Sequence, residues 1–267
     1  MERYNILNSN SVKIQLINED KHDYPFVFSI PHSGTLISEN MNNNLIEDVI
    51  LANMDWYLPQ LYNFLQDMGF TVIINNISRY MIDPNRGLDD KTSDSLYNKN
   101  LIYTKTTFNK NMYKRTLSQV EIQERINNYY IPYHKEIEKN LKEKLKHFDK
   151  AYLIDLHSFG KNVDADIVLG NDYGKTTSKE FFKSIKNEME KCGFSVNDNR
   201  PYKGGFITRN YREKFINCET LQIELWYQTY IDNREFFEEY KPNINKKVFQ
   251  DTQYKMIYLF EKLKKFY

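Results

Sequence analysis

The chain has 267 residues, 40% hydrophobic and 27% charged, so it is long enough to bury a sizeable core. Its 37 basic side chains meet 36 acidic ones, a formal net charge of +1, which excludes a global electrostatic drive toward nucleic acid or an anionic membrane. No apolar run reaches the roughly 18–20 residues that span a bilayer. The opening "MERYNILNSN" lacks the apolar stretch of a secretory leader, and the two cysteines, Cys192 and Cys218, are far apart. A cytoplasmic protein with reduced thiols is the expectation.

In chain order, "PFVFSI" (25–30) is the first buried-strand pattern. Leu58, Leu61, Tyr62, Leu65 and Met68 then repeat at three and four, predicting a helix that Gly69 stops. "TVIINN" (71–76) reads as a second strand. A long charged amphipathic stretch runs from Leu117 to about Lys146, with a break or kink at Pro132. "AYLIDL" (151–156) and "ADIVLG" (165–170) are strands, 177–192 a helix, "TLQIEL" (220–225) a strand and 244–266 a final helix. Short Val-, Ile- and Phe-rich runs alternating with helices predict a three-layer α/β/α protein whose sheet is covered on both faces. No internal repeat or linker interrupts it, and "NDNRPYKGG" (197–205) reads as a loop, so one domain over 1–267 is expected.

Six of the nine glycines stand at strand ends or in polar loops just beyond them. Beside them lie "IPHSG" (30–34), "SRYMIDPNRG" (78–87), "DLHSFG" (155–160), "YKGGFITRNY" (202–211) and "QIELW" (222–226). Open α/β sheets bind ligands outside the carboxyl ends of their strands, so these segments predict one shared site. His32 and His157 each follow an apolar strand and are either hydrogen-bonded structural residues or two ligands of one metal. Asp55, expected to open the helix "DWYLPQLY", is the candidate third ligand, although Asp is equally a helix N-cap. Asp155 is a candidate to orient His157, unless strand alternation points it elsewhere. Glu224 interrupts an otherwise apolar strand, either as part of a polar face or as a general base with a carboxyl raised by burial. Arg79, Arg86 and Arg209, in glycine-bearing loops, suit a small dianionic substrate, and Asn85 and Thr208 in the same segments are expected substrate contacts.

"IPHSG", "DWYLPQLY", "SRYMIDPNRG", "YYIPYH", "DLHSFG", "YKGGFITRNY" and "LQIELW", in that order, resemble the N-formylglutamate amidohydrolase (formylglutamate deformylase) family from about residue 25 to 230. More distantly, "DLHSFG" and "QIELW" resemble the last zinc-histidine and the glutamate-base segments of zinc carboxypeptidases. The resemblance implies a phosphorylase/hydrolase-like (zinc-exopeptidase-like) α/β/α fold with a mixed, mostly parallel sheet. It also implies His157 as a zinc ligand and Glu224 as the base. His32 aligns with the first ligand of the carboxypeptidase HxxE motif, but Thr35 stands where that motif has Glu, and Asp55 is the inferred replacement. His134 in "YYIPYH" matches a family position, where it contacts substrate or packs the kinked helix.

The implied reaction is hydrolysis of N-formyl-L-glutamate to formate and L-glutamate, in a family whose usual role is histidine breakdown. The implied cofactor is Zn2+ or another divalent transition metal, and the implied partner is a small N-acyl amino acid rather than nucleic acid or membrane. Three other readings share these residues: an amidohydrolase for another N-acyl amino acid, a zinc peptidase, and a non-enzymatic binding protein on the same fold.

Overall fold

The apolar runs of the sequence pair side by side in one seven-stranded sheet. A computed structural model describes residues 4–89, 100–232 and 241–266. The sheet comprises β2 (Ile14–Ile17), β3 (Phe26–Ile30), β5 (Thr71–Asn75), β6 (Ala151–Phe159), β7 (Ile167–Gly170), β8 (Val196–Asp198) and β9 (Cys218–Trp226). Their spatial order is β2-β5-β3-β6-β9-β7-β8. The β5–β3, β3–β6, β6–β9 and β7–β8 pairs are parallel, and β2–β5 and β7–β9 are antiparallel, so the sheet is mixed and mostly parallel. A short parallel pair, β1 (Asn5–Ile6) with β4 (Leu36–Ile37), lies apart from it.

Every residue of β3, β5, β6 and β7 is buried, as a sheet covered on both faces requires. Alternation sorts the side chains into two layers. Phe26, Phe28, Ile154, Leu221 and Ile223 pack with Leu58 and Leu61 of α2 (Leu58–Leu61), Phe181 and Ile185 of α5 (Lys179–Lys191), and Met256 and Phe260 of α7 (Lys246–Leu263). Val27, Ile73, Ala151 and Leu153 pack on the other face with Tyr133, Ile137 and Leu141 of α4 (Ile131–His147), and Ile207 and Tyr211 of α6 (Phe206–Lys214). Each fully buried large apolar side chain contributes roughly 1.5–3 kcal/mol. The remaining α-helices among the described residues are α1 (Glu39–Asn44) and α3 (Gln119–Arg125), and α3 opens on a Ser118–Glu121 capping box. No helix among the described residues is long and apolar enough to cross a membrane.

The five predicted strands all form, and β6 and β9 each run beyond the expected stretch, to Phe159 and Trp226. At the expected break, a π turn over Ile126–Tyr130 precedes α4, where Pro132 has no N–H to continue the regular ladder. Three expectations are corrected. The helix drawn over 58–68 is only α2 and a 3-10 turn over Asn63–Leu65, although Gly69 takes the left-handed φ of +82° expected of a stop. Asp55 does not open that helix: Tyr57, left-handed at φ 60°, precedes Leu58, so the Asp55 carboxylate is not a cap. The stretch after Gly205, read as loop, is the helix α6, which buries Ile207, Thr208 and Tyr211.

Candidate active site

The carboxyl ends of β3, β6 and β9 converge on a cavity of about 430 Å³. Among its lining residues are His32, Asp55, Arg79, Asn85, Arg86, His157 and Glu224. Strand register accounts for two of these. His157 is the Cα partner of Glu224, and Asp155 of Gln222, so all four side chains share the α4/α6 face of the sheet. His32 follows β3 across Pro31. Asp55 is stapled to that strand end, its N–H donating to His32 O at 3.2 Å and its carbonyl accepting from Ser33 Oγ at 2.6 Å.

The two imidazoles are presented alike. His157 Nδ1 lies 3.1 Å from Asp55 Oδ2, and His32 Nδ1 lies 3.7 Å from the same oxygen. Each ring's Nε2 is tied to a further carboxylate, His32 to Asp83 Oδ1 at 2.6 Å and His157 to Asp155 Oδ2 at 2.8 Å. These bonds place a proton on each Nε2 and turn each Nδ1 toward Asp55, which accepts from the Nδ1–H of a charged His157. Asp155 is held in turn by Ser29 Oγ at 2.8 Å. Asp83, fully buried, also accepts from Arg79 Nη2 at 3.1 Å, from Asn85 N at 2.8 Å and from the Tyr103 hydroxyl.

The electrostatics follow from burial and these partners. Burial, with Arg79 adding to it and Asp83 opposing, lowers His32 to about 4, so its ring is neutral at pH 7. Burial presses His157 the same way, but Asp155, Asp55 and Glu224 reverse it and hold that imidazole well above its usual range. Burial works against an ionised Asp55 too, yet the His157 hydrogen bond, His32 and Arg79 keep it below its ordinary value. Glu224 is raised to about 8, chiefly by burial, with Asp55 and Asp155 adding to it and His157 and Arg79 opposing. The point between Asp55 and His157 therefore favours positive charge. A divalent transition ion fits there: His32, Asp55 and His157 offer two imidazoles and a carboxylate whose donor atoms lie within 4.8 Å of one another. Carboxylates behind both histidines are the orientation that metal ligands use.

Of the remaining sequence candidates, Arg79 and Asn85 are buried on the cavity wall, and Arg86 stands beside them with Nη1 on Asn85 O at 2.7 Å. Asn85 Nδ2 lies 3.2 Å from His157 Nε2, and Asn85 Oδ1 accepts from Ile207 N at 2.9 Å. Arg209, Thr208 and His134 are not on the cavity wall. Arg209 sits on α6 and donates to Gly204 O at 2.6 Å. Thr208 is fully buried below Gly204, and its hydroxyl has no hydrogen-bond partner among the described residues. His134 braces the site from behind, with Nδ1 2.8 Å from Tyr211 OH and Nε2 3.0 Å from Pro84 O.

Sequence reasoning missed Asp83 and Gln222. Asp83 sits inside "SRYMIDPNRG" between two arginines, but its partners His32 and Tyr103 come from other segments. Gln222 donates to Glu224 Oε1 at 2.8 Å while accepting from Gly205 N at 2.7 Å. Its alternation with Glu224 on β9 was the only sequence clue.

The fold and this site define an α/β protein of hydrolase type, with a buried strand-end cluster able to hold a metal. A model of the N-formylglutamate amidohydrolase family matches residues 24–231, and the chain belongs to that family. It is 29% identical over 233 residues to an N-formylglutamate deformylase of Pseudomonas putida, covering 80% of this chain and 84% of that one. A protein of the same name from Pseudomonas aeruginosa is 29% identical over 225 residues, with the same coverage. The crystal structure of N-formylglutamate amidohydrolase from Ralstonia eutropha JMP134 shares the fold, with a TM-score of 0.82 at 24% identity over 95% of this chain and 98% of that one.

Proposed function

We propose that the chain hydrolyses the formyl amide of N-formyl-L-glutamate to formate and L-glutamate, using Zn2+ held by His32, Asp55 and His157 and Glu224 as general base. One observation carries the reading. Both Nδ1 atoms face Asp55, each with a carboxylate behind its ring, and Glu224 lines the same cavity. Family membership supplies the substrate class. The ion, when bound, supplies a Lewis acid and a water of lowered pKa.

The chain's own residues do the rest. Glu224 takes a proton from the attacking water as the water oxygen adds to the formyl carbon. It then gives that proton to the amide nitrogen as the C–N bond breaks, so glutamate leaves as a neutral amine rather than an anion. Gln222 holds the carboxyl in place during both transfers. Burial, which raises Glu224 to about 8, makes it a stronger base than an exposed carboxylate, and a nearby dication lowers it toward neutrality. Arg79 and Arg86 on the wall are the proposed receptors of the substrate carboxylates, with Asn85 beside them and Arg209 behind the Gly204 carbonyl. Thr208 and His134 take supporting positions, beneath Gly204 and behind Pro84. A cavity of about 430 Å³ suits a single acyl amino acid.

Glu224→Gln should retain the metal and lose on the order of 10²–10⁴-fold in turnover, whereas His157→Ala should lose both. The assay is formate release from N-formyl-L-glutamate, with N-formylaspartate and N-acetylglutamate as competitors. Full activity of Glu224→Gln would sink the general-base role, and turnover of another acyl amino acid in preference to formylglutamate would reassign the substrate.

A further inference from the structure

A second cluster of ligand-type side chains lies away from the cavity. Glu143 and His147 are four residues apart on the last turns of α4, so they share one helix face, with His147 Nε2 3.4 Å from Glu143 Oε1. His22, in the connection between β2 and β3, stacks on His147 with ring centroids 4.2 Å apart and 18° between the planes. One donor atom from each of the three lies within 4.8 Å of the other two. His22 Nδ1 is buried and makes no hydrogen bond among the described residues. The two segments are already held together beside the cluster, because Lys144 Nζ donates to Lys21 O at 2.6 Å.

We propose that His22, Glu143 and His147 form a peripheral site for a borderline divalent transition ion such as Zn2+, Ni2+ or Cu2+, separate from the strand-end cluster. Two imidazoles and one carboxylate are the donor types these ions take. Bond lengths near ~2.0–2.1 Å require the three donors to draw closer together, and the side chains can move: His147 is 44% exposed and Glu143 35%. The competing partner of Glu143 is Lys146, itself 68% exposed, and such a solvated ion pair yields readily. A cation at the carboxyl end of α4 also meets the negative end of the helix dipole. The ion would clamp the β2–β3 connection onto α4, on the far side of the helix run from the reacting groups. Its role is structural, and catalysis does not require it.

The test is calorimetric titration of metal-stripped protein with Zn2+, comparing wild type with a His22→Ala, His147→Ala double variant. Wild type should bind one equivalent more than the double variant, with micromolar or tighter affinity, and zinc should raise its melting temperature further. Equal stoichiometry in the two proteins, or an extra equivalent that fills only at millimolar zinc, overturns the proposal. The readout is a difference at this cluster, so it stands or falls independently of metal binding by His32, Asp55 and His157. If the double variant does not fold, diethylpyrocarbonate modification of wild type decides: zinc should protect His22 and His147 at least tenfold, and unprotected modification overturns the site.

Discussion

Asp83→Asn is the most informative single change, because it alters charge at one atom while preserving shape. Asp83 Oδ1 accepts from His32 Nε2 and Asn85 N, and Oδ2 accepts from Arg79 Nη2 and the Tyr103 hydroxyl. An asparagine has one oxygen, so its amide nitrogen must face one of these two donor pairs. If it faces Arg79, two donors oppose each other in a buried site and the guanidinium loses its short ion pair. If it faces His32, that ring must accept at Nε2 and carry its proton on Nδ1, the nitrogen turned toward Asp55.

Either orientation has a measurable consequence. Breaking a buried, hydrogen-bonded ion pair by removing one charge costs about 3–5 kcal/mol, and Asp83 is ionised in the fold, its carboxyl held well below the usual range against burial by His32, Arg86 and Arg79. Urea unfolding at pH 7 should therefore show a loss of about 3 kcal/mol or more. Chelator competition should show metal affinity reduced by roughly 10–100-fold, the usual effect of removing the group that orients a ligand. Stability within about 0.5 kcal/mol of wild type, a surface-like value, together with unchanged metal affinity, would refute the orienting role of Asp83.

Two further outcomes are expected. His134 is lowered from 6.5 to about 4, chiefly by burial among aromatic rings, so the fold refuses a proton that the unfolded chain binds. The contribution of His134 to stability should be full above pH 6.5 and fall by about 2 kcal/mol toward pH 4, the ring's partly open edge reducing it; His134→Gln should make the wild-type slope shallower by that amount in denaturant titrations at several pH values, and parallel profiles would count against it. Gly205→Ala would set a Cβ 2.2 Å from Asn85 Nδ2 and Oδ1, pushing that side chain off His157. It should cost about 1–3 kcal/mol in thermal or urea unfolding and weaken metal binding, whereas unchanged values would show that the loop yields freely.

Much of the fold was legible because β3, β5, β6, β7 and β9 are buried on both faces and so read as predominantly apolar runs. The parts that escaped notice have physical reasons. β8 is only "VND" and β2 only "IQLI", too short to show a period. α6 follows two glycines and carries Thr208, Asn210 and Tyr211, residues of modest helix preference, so packing of Ile207 and Tyr211 rather than propensity makes it a helix. The neighbours of Asp55 have helical spacing, which suggests a helix start there, but the left-handed backbone of Tyr57 separates it from α2.

The site divides along the same line. His157 and Glu224 were legible because each breaks an apolar strand at a position where alternation aims it at one face, and their pairing across β6 and β9 then brings them to one cavity. A slip of that register by one residue would send Glu224 to the apolar layer beneath the sheet, so β6–β9 pairing is itself part of the site. Asp83 was illegible for the opposite reason. Its partners come from the end of β3, from residues 79 and 85, and from Tyr103, segments whose meeting no local period announces. The side chains that hold the proposed ligands are thus also those that join separate loops to the sheet. Fold stability and ligand orientation share these bonds, and a change at Asp83 must register in both measurements.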